Sequence, residues 1–383
     1  MLKKVFYLLI LPLLIFALVV GGYVGYSVYQ INHIPKVEIR HTYTYKKTFT
    51  VDKNMISYLV FSTGSKGLAE GDGERLNIGD HRAKMNDGLT DSIMLVLTNP
   101  LNREVSVVSI PRDTYIESKG QRINSSFNAG GINSLLDDVE YLTGVRPQHS
   151  ISLNFAAFAD LVDAVGGIDI NVPTIVKDEQ AHLSIPTAGC FHFDGPTALA
   201  FARSRHYRVS VDGINFKNDA SSTDWGRIER QQAILRIVAQ KILNPSIITT
   251  LPTMLEIAQK NITLDSSLTF SSLINSANAW KDGVSNIYAV TYPGVGKTLP
   301  VSKAQVIMPN VDQGKLITSE LSTKIGFTAS YDPTLVNQDS IGVLPSATPS
   351  TSVSPDINNT SKSFISERSA NGLGGKYYSS CNN

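Results

Sequence analysis

The sequence has almost no excess charge of either sign. Its 383 residues carry 34 lysines and arginines against 33 aspartates and glutamates, for a formal net charge of +1. This balance argues against nucleic acid as a partner, because nucleic-acid-binding surfaces are strongly basic. The chain also lacks internal repeats, a Gly-x-Ser-x-Gly nucleophile motif and histidines at metal-ligand spacing.

Cysteine is equally scarce, with only Cys190 and Cys381 in the chain. Outside the cell the two could form a disulfide. We favour the alternative, two unrelated thiols, because Cys381 lies in a polar C-terminal segment that the composition predicts to be disordered.

One long apolar run begins near the N-terminus. Lys3 and Lys4 precede an uncharged, mostly apolar segment from Val5 to about Tyr29, which is long enough to span a bilayer as a helix. A cleaved signal peptide is the alternative, but the run is longer than a typical signal core and no Ala-x-Ala site ends it. We therefore predict one transmembrane anchor and a cytoplasmic tip at residues 1–29, with the remaining chain outside the cell membrane.

The chain beyond this anchor divides into three parts by composition. Residues 30–54 are predicted to form an extracellular stalk and residues 55–325 a folded domain. Residues 340–383 are rich in Ser and Thr and cannot bury enough apolar surface to fold, so we predict a disordered tail there.

The folded domain alternates strand and helix patterns. Two apolar strands, 91–98 and 104–110, are joined by a turn and predict an antiparallel hairpin. Mixed strands and helices of this kind predict an α/β sandwich. The other predicted strands are 55–61, 168–172, 287–291, 305–308 and 315–321, and the predicted helices are 134–143, 154–165, 195–202, 224–243 and 266–280.

Arginines are concentrated in two neighbouring segments of this domain. Arg203 and Arg205 follow a predicted helix, and they share a face if their segment is extended. After an insertion at residues 207–223, Arg227 and Arg230 lie in the next helix. Arginine donates paired hydrogen bonds to phosphate and stays charged, so the cluster predicts an anion site. A solvated face of an amphipathic helix is the alternative.

The predicted helix 224–243 also carries Gln231, which is expected to share a face with Arg227 and Arg230. Asp224 is predicted to cap its N-terminus. Arg227 lies in the first turn, where a cation opposes the helix dipole, and a bound anion would relieve that conflict.

Polar residues at strand ends add to the predicted site. Arg112 and Asp113 follow a buried strand, although a surface salt bridge is the alternative there. Arg122 and Asn124 would point the same way in an extended segment. Asp91 precedes another buried strand and is our candidate ligand for Mg²⁺, which usually accompanies a pyrophosphate.

Taken together, these segments resemble the LytR-CpsA-Psr family of bacterial cell-wall glycopolymer transferases, from about Met55 to Thr323. An N-terminal membrane anchor also fits the family. The matching segments are 90–94, 109–114, 122–131, 155–172, 193–205 and 224–232.

The resemblance implies an α/β/α sandwich around a mixed central sheet, with an apolar tunnel for a polyprenyl chain. It further implies transfer of a glycopolymer from a polyprenyl-pyrophosphate carrier to a peptidoglycan sugar hydroxyl. Asp91 would hold Mg²⁺, Asp224 would orient the arginines, and Asp113 or Asp91 would serve as the base. The pyrophosphate would be held by Arg112, Arg203, Arg205, Arg227 and Gln231, with Arg122, Asn124 and Arg230 assisting.

Two features depart from the family pattern. Ser62 stands near the place of an expected metal-binding aspartate, and Asp80 or Asp87 in the following loop could replace it. The insertion at 207–223 could form a lid over the site or a surface decoration. Hydrolysis of the carrier lipid, and a non-catalytic lipid-binding role in the envelope, are therefore the alternative functions.

Overall fold

The computed structural model describes part of the chain. The described residues are 25–42, 49–50, 54–78, 89–218, 220–222, 224–242, 250–269, 271–272, 286–327, 330–331 and 378–381. Most of the predicted transmembrane run and of the predicted helix 266–280 lies outside them. Within these ranges we find no helix that combines the length and the apolar character needed to cross a membrane.

The strands are short at the periphery of the fold and longer at its centre. In chain order they are β1 (Lys36–Val37), β2 (Phe49–Thr50), β3 (Ile56–Ser62), β4 (Ile93–Asn99), β5 (Glu104–Ile110), β6 (Tyr115–Ile116), β7 (Gln121–Arg122), β8 (His149–Leu153), β9 (Ile168–Val172), β10 (Ile175–Asp178), β11 (Leu183–Ile185), β12 (Gly189–Phe193), β13 (Arg208–Ser210), β14 (Ile262–Asp265), β15 (Asn286–Thr291), β16 (Gly294–Thr298), β17 (Gln305–Pro309), β18 (Ser330–Tyr331) and β19 (Ser379–Ser380).

Helices separate these strands along the chain. In order they are α1 (residues 25–32), α2 (Asp72–Arg75), α3 (Ser126–Thr143), α4 (Phe155–Ala164), α5 (Gly195–Arg203), α6 (Asp224–Ile242), α7 (Leu251–Asn261) and α8 (Val311–Lys324). Short 3-10 helices occur at Glu117–Lys119, Ile123–Ser125 and Ala220–Ser222.

A mixed seven-stranded sheet lies at the centre, with the strand order β1-β14-β8-β3-β4-β5-β15. The predicted hairpin is confirmed, because β4 and β5 pair antiparallel along their whole length. In contrast, β3 pairs parallel to β8, and β5 pairs parallel to β15. Both faces of the central strands are covered, which explains why their sequences are almost continuously apolar.

Helices pack on both faces of this sheet. On one face, Leu59 and Leu95 join a buried cluster with Leu136 of α3 and Leu321 of α8. On the other face, Met94 packs in a cluster with Leu235 of α6. The predicted α/β sandwich around a mixed sheet is thus confirmed. The sheet is the middle layer, and α4, α5 and α6 lie on the face opposite α3.

Two predicted elements differ from the structure. Residues 315–321 were expected to be a strand, but they lie within α8, whose N-terminus is capped by the Asn310 side chain. Ile317 and Leu321 are buried one turn apart on this helix, so the period of the pattern is helical. Helix α3 starts at Ser126, earlier than predicted, and Gly131 interrupts it with a φ of 66°.

The end of the chain returns to the domain. Cys190 and Cys381 form a disulfide, so the interpretation of two unrelated thiols is wrong. Next to it β19 pairs with β9, and Tyr378 is 3% exposed with its ring against Phe201. The prediction of disorder therefore fails for residues 378–381, because the disulfide and one buried aromatic side chain hold this otherwise polar segment.

Candidate active site

A cavity of about 750 Å³ lies between the central sheet and the helices α4, α5 and α6. Its volume is typical of small-molecule sites, which are mostly apolar with a few convergent polar groups. Sheet residues contribute one wall and helix residues the other. The apolar lining includes Val60, Met94, Ile151, Leu153, Phe155, Phe158, Leu161, Leu199, Ile234, Leu235 and Val238.

Polar side chains from three separate parts of the chain line the same cavity. Six of the predicted site residues are among them: Asp91, Arg112, Arg203, Arg205, Arg227 and Gln231. With Asp178 included, four arginines face two carboxylates in the lining, so the cavity carries an excess of positive charge. An apolar pocket with such a lining is suited to a ligand that joins a hydrocarbon chain to a polyanion.

Arg112 and Asp91 come from adjacent strands. Arg112 follows the end of β5, Asp91 precedes β4, and their side chains form an ion pair. The backbone of Asn124 ties the two segments together, since its N–H donates to the Arg112 carbonyl at 3.1 Å and its carbonyl accepts from the Thr90 N–H at 3.0 Å. Asn124 is 4% exposed and does not line the cavity, so its contribution is through the main chain.

Arg203 and Arg205 lie at the C-terminal end of α5. This helix is capped at its start by Asp194, whose carboxylate accepts from the Thr197 N–H at 2.9 Å. The guanidinium carbon of Arg203 is 4.9 Å from the centre of the Phe155 ring. Ser204 is extended, with φ of −54° and ψ of 122°, and this geometry lets the residues on either side of it both reach the cavity.

Helix α6 supplies Arg227 and Gln231, one turn apart. Arg227 is 5% exposed, and Gln231 Nε2 donates to the Ala202 carbonyl of α5 at 3.2 Å. This contact holds the two arginine-bearing helices together. Asp224 is the first residue of α6; its side chain lies outside the described part, so the predicted orienting role stays a prediction.

Arg230, on the same helix, does not reach the cavity. Its side chain is fully buried, and it donates to the carbonyls of Phe201 at 2.9 Å, Ser221 at 2.7 Å and Ser204. The guanidinium also lies 4.2 Å from the centre of the Tyr207 ring. Arg230 therefore supports the turn after α5. It is not among the residues that line the cavity, and each of its three guanidinium nitrogens donates to a protein carbonyl, so the structure does not support the predicted role in pyrophosphate binding.

Asp113 and Arg122 also lie outside the cavity lining. Arg122 Nε is 3.4 Å from Asp113, and its Nη2 donates to the Gln305 carbonyl at 2.8 Å. Arg122 and Asn124 would point the same way only in an extended segment, and this condition is not met, because the chain enters a 3-10 helix at Ile123. These residues brace the segment that carries Arg112.

Asp178, Gln180 and His206 are among the polar residues of the lining that sequence reasoning did not assign to the site. Burial alone would raise the pKa of Asp178, but hydrogen bonds from the Ser204 hydroxyl and the backbone N–H groups of His206, Ala181 and Gln180 lower it below its ordinary value. Asp178 is thus a buried carboxylate that stays charged. No motif marks it, because it ends a short strand that pairs only with other short strands.

The insertion at 207–223 contains β13, which pairs with β10 beside the cavity. None of its described residues lines the cavity. A lid role is therefore not supported for the part of the insertion that the structure describes.

The donor set for a metal ion is small. In the described ranges no group of three or more His, Cys, Asp or Glu residues is arranged to hold one, and Asp80 and Asp87 lie outside those ranges. Asp91 lies beside Ser62, whose carbonyl accepts from the Asp91 N–H at 3.2 Å. Mg²⁺ often takes one or two carboxylates and completes its shell with phosphate oxygens and water. Asp91 would be its protein carboxylate here, in competition with the ion pair to Arg112, and the magnesium site stays a prediction.

The chain belongs to a known family. The LytR_cpsA_psr family model matches residues 76–318, and the chain is a member of that family. It is 32% identical over 213 residues to the polyisoprenyl-teichoic acid–peptidoglycan teichoic acid transferase TagU of Bacillus cereus, covering 55% of this chain and 64% of that protein. The chain therefore spans just under two thirds of the length of this relative.

Two further comparisons extend the match. TagU of Bacillus licheniformis is 27% identical over 299 residues, covering 77% of this chain and 88% of that protein. The LytR-Csp2A-Psr enzyme from Actinomyces oris superposes with a TM-score of 0.55 at 23% identity, covering 77% of this chain and 97% of that one. At this identity the structural likeness establishes the fold.

Proposed function

We propose that the protein is a membrane-anchored phosphotransferase that moves a glycopolymer from a polyprenyl-pyrophosphate carrier to a peptidoglycan sugar hydroxyl. The observation that carries this proposal is the convergence of Arg112, Arg203, Arg205 and Arg227 on one largely apolar cavity. The relatives' designation as teichoic acid transferases supports the same class of reaction.

The carrier would bind by its two chemical parts. The prenyl chain would occupy the apolar space between the sheet and α4, α5 and α6, where its burial removes hydrocarbon from water. The pyrophosphate would lie among the arginines, whose planar forks suit phosphate oxygens. An excess of positive charge in the lining favours a polyanion over a neutral lipid.

Transfer then requires positioning more than covalent chemistry. The acceptor hydroxyl oxygen attacks the phosphorus that carries the glycopolymer, and the bond from that phosphorus to the bridging oxygen breaks. Polyprenyl phosphate leaves with the electron pair, and the arginines neutralise the charge that develops on it. Asp91 would hold Mg²⁺, which supplies further charge neutralisation.

The hydroxyl proton must pass to a base or to solvent. Of the two candidate carboxylates, Asp91 lines the cavity, whereas Asp113 lies behind Arg112 and next to Arg122. Asp91 is therefore the nearer of the two, but as the proposed Mg²⁺ ligand it would not also take the proton, so in the metal-dependent reaction the hydroxyl proton would pass to solvent.

The test is a transfer assay with the full-length protein in detergent. The donor is a sugar-loaded polyprenyl pyrophosphate, the acceptor is a peptidoglycan oligomer, and products are followed by mass spectrometry in Mg²⁺ or EDTA. We expect a sugar-phosphate adduct on the oligomer that disappears in EDTA and with Arg227→Met. Release of lipid phosphate without an adduct would favour hydrolysis, and binding without turnover would favour a non-catalytic envelope protein.

A further inference from the structure

Asp178 is a buried carboxylate at the cavity with no role in the reaction described above. It ends β10 and is 1% exposed. One of its oxygens, Oδ1, accepts from the backbone N–H groups of Gln180 at 2.9 Å and Ala181 at 3.1 Å. These two bonds fix the carboxylate to its own turn, so its second oxygen has a defined direction.

That second oxygen, Oδ2, accepts from two groups on either side of Arg205. The Ser204 hydroxyl donates at 2.6 Å and the His206 N–H donates at 2.9 Å. A single atom thus holds the residues before and after Arg205. The Ser204 carbonyl is held from the other direction by Arg230, so the turn is fixed from two sides.

This arrangement matters because Arg205 is exposed and follows the end of a helix. A long side chain on an unsupported turn would sample many positions, and ordering it on ligand binding would cost conformational entropy. Fixing the backbone on both sides of Arg205 removes part of that cost before the ligand arrives.

We propose that Asp178 is a positioning residue that preorganises Arg205 for the pyrophosphate of the carrier lipid. The inference rests on the proposed function for the identity of the ligand. Asp178 acts through the Ser204–His206 turn and does not itself contact the ligand. Its fixed negative charge would oppose direct contact with a phosphate.

The chain offers a matched control in Asp265. This residue is also fully buried, and it also accepts from a backbone N–H, that of Ser150 at 2.9 Å, and from the Ser267 hydroxyl. Against the effect of burial, its pKa is likewise lowered, by hydrogen bonds from His149, the Ser267 hydroxyl and the Ser150 N–H. Asp265 does not line the cavity, so Asp265→Asn reports the structural cost of losing a buried, hydrogen-bonded carboxylate.

The experiment compares Asp178→Asn and Asp265→Asn in the full-length protein. The dissociation constant of polyprenyl pyrophosphate, the kcat and KM of transfer, and the Tm are measured for each. We expect both variants to lose thermal stability, but only Asp178→Asn to weaken lipid binding, by roughly tenfold to a hundredfold, the loss expected for one hydrogen bond to a charged group. Equal dissociation constants for the two variants would overturn the proposal.

A double-mutant cycle with Arg205→Met tests the route of the effect. If Asp178 acts through Arg205, adding Asp178→Asn to Arg205→Met causes no further loss of binding. Independent, additive losses would overturn the positioning role. Ser204→Ala, which removes one donor and keeps the carboxylate, serves if Asp178→Asn does not fold, and it should weaken binding with the same dependence on Arg205.

These outcomes separate this proposal from the function on which it rests. A wild-type protein that binds the lipid but transfers nothing would refute the transferase, while the binding cycle would still decide the role of Asp178. A wild-type protein that does not bind polyprenyl pyrophosphate would overturn both.

Discussion

Arg227 and Arg230 are three residues apart on α6, yet the structure gives them opposite roles. Arg227 lines the cavity, whereas Arg230 donates to three carbonyls in the protein interior. We predict that Arg230→Met unfolds the domain at a lower temperature, and that Arg227→Met removes binding of polyprenyl pyrophosphate with a smaller effect on stability.

The size of the Arg230 effect follows from the groups left behind. Two buried carbonyls, of Phe201 and Ser204, and the half-buried carbonyl of Ser221 lose a charged donor, and each buried group left unsatisfied costs about 1–3 kcal/mol. Removing the guanidinium also removes the cost of burying its charge, so we expect a net destabilisation of about 4 kcal/mol. In a domain of this size, that corresponds to a fall in Tm of roughly 8–16 °C.

The assay is thermal unfolding by circular dichroism with and without polyprenyl pyrophosphate. The lipid should raise the Tm of the wild type, because a ligand that binds only the folded state stabilises it. Arg230→Met should show a lower Tm but a retained upward shift with lipid, and Arg227→Met should show no shift. An Arg230→Met variant with an unchanged Tm and no lipid response would refute this assignment.

Three further predictions address packing, the disulfide and pH. Gly195→Ala should lower the Tm and weaken lipid binding, because a Cβ there would lie 2.3 Å from the Ala159 carbonyl oxygen and force α5 away from α4; an unchanged Tm would contradict the close packing. Cys190→Ser should lower the Tm in non-reducing buffer. The disulfide closes a separation of 191 residues, so in the chain-entropy treatment its loss costs up to about 5 kcal/mol of unfolding free energy. A reductant should lower the Tm of the wild type to the same extent and leave the Tm of the variant unchanged. The pKa of Asp178 is lowered on folding, so its stabilising contribution is present above about pH 4 and is lost as the pH falls below that value. When the unfolding free energy is measured across this range, Asp178→Asn should lose less stability on acidification than the wild type. Parallel curves of stability against pH for the two proteins would contradict this contribution.

The sequence predicted those parts of the site that depend on local patterns. Asp194 before a proline marked the start of α5, which places Arg203 and Arg205 at its end. The spacing of Arg227 and Gln231 placed both on one face of a helix. Strand ends predicted the position of Asp91 and Arg112, because polar residues that follow or precede buried strands collect at the edge of a sheet.

The remaining features depend on contacts between distant segments. Arg230 differs from Arg227 because packing against Tyr207 directs it inward, and helix periodicity does not contain that information. Asp178 acts on a turn 26 residues later in the chain. The ordering of residues 378–381 depends on Cys190 and Tyr207, and the composition of the tail alone predicts the opposite.

The central proposal is that a polyprenyl pyrophosphate occupies the cavity with its charged end among the arginines. We would titrate the full-length protein in detergent with polyprenyl pyrophosphate and with the matching polyprenyl alcohol, and count bound molecules by native mass spectrometry. The variants are Arg203→Met, Arg227→Met and Leu235→Trp, which fills the apolar part of the cavity.

We expect one bound pyrophosphate lipid per wild-type chain, much weaker binding of the alcohol, and loss of the pyrophosphate lipid in all three variants. Equal binding of both lipids, or pyrophosphate binding that survives both arginine substitutions, would contradict it.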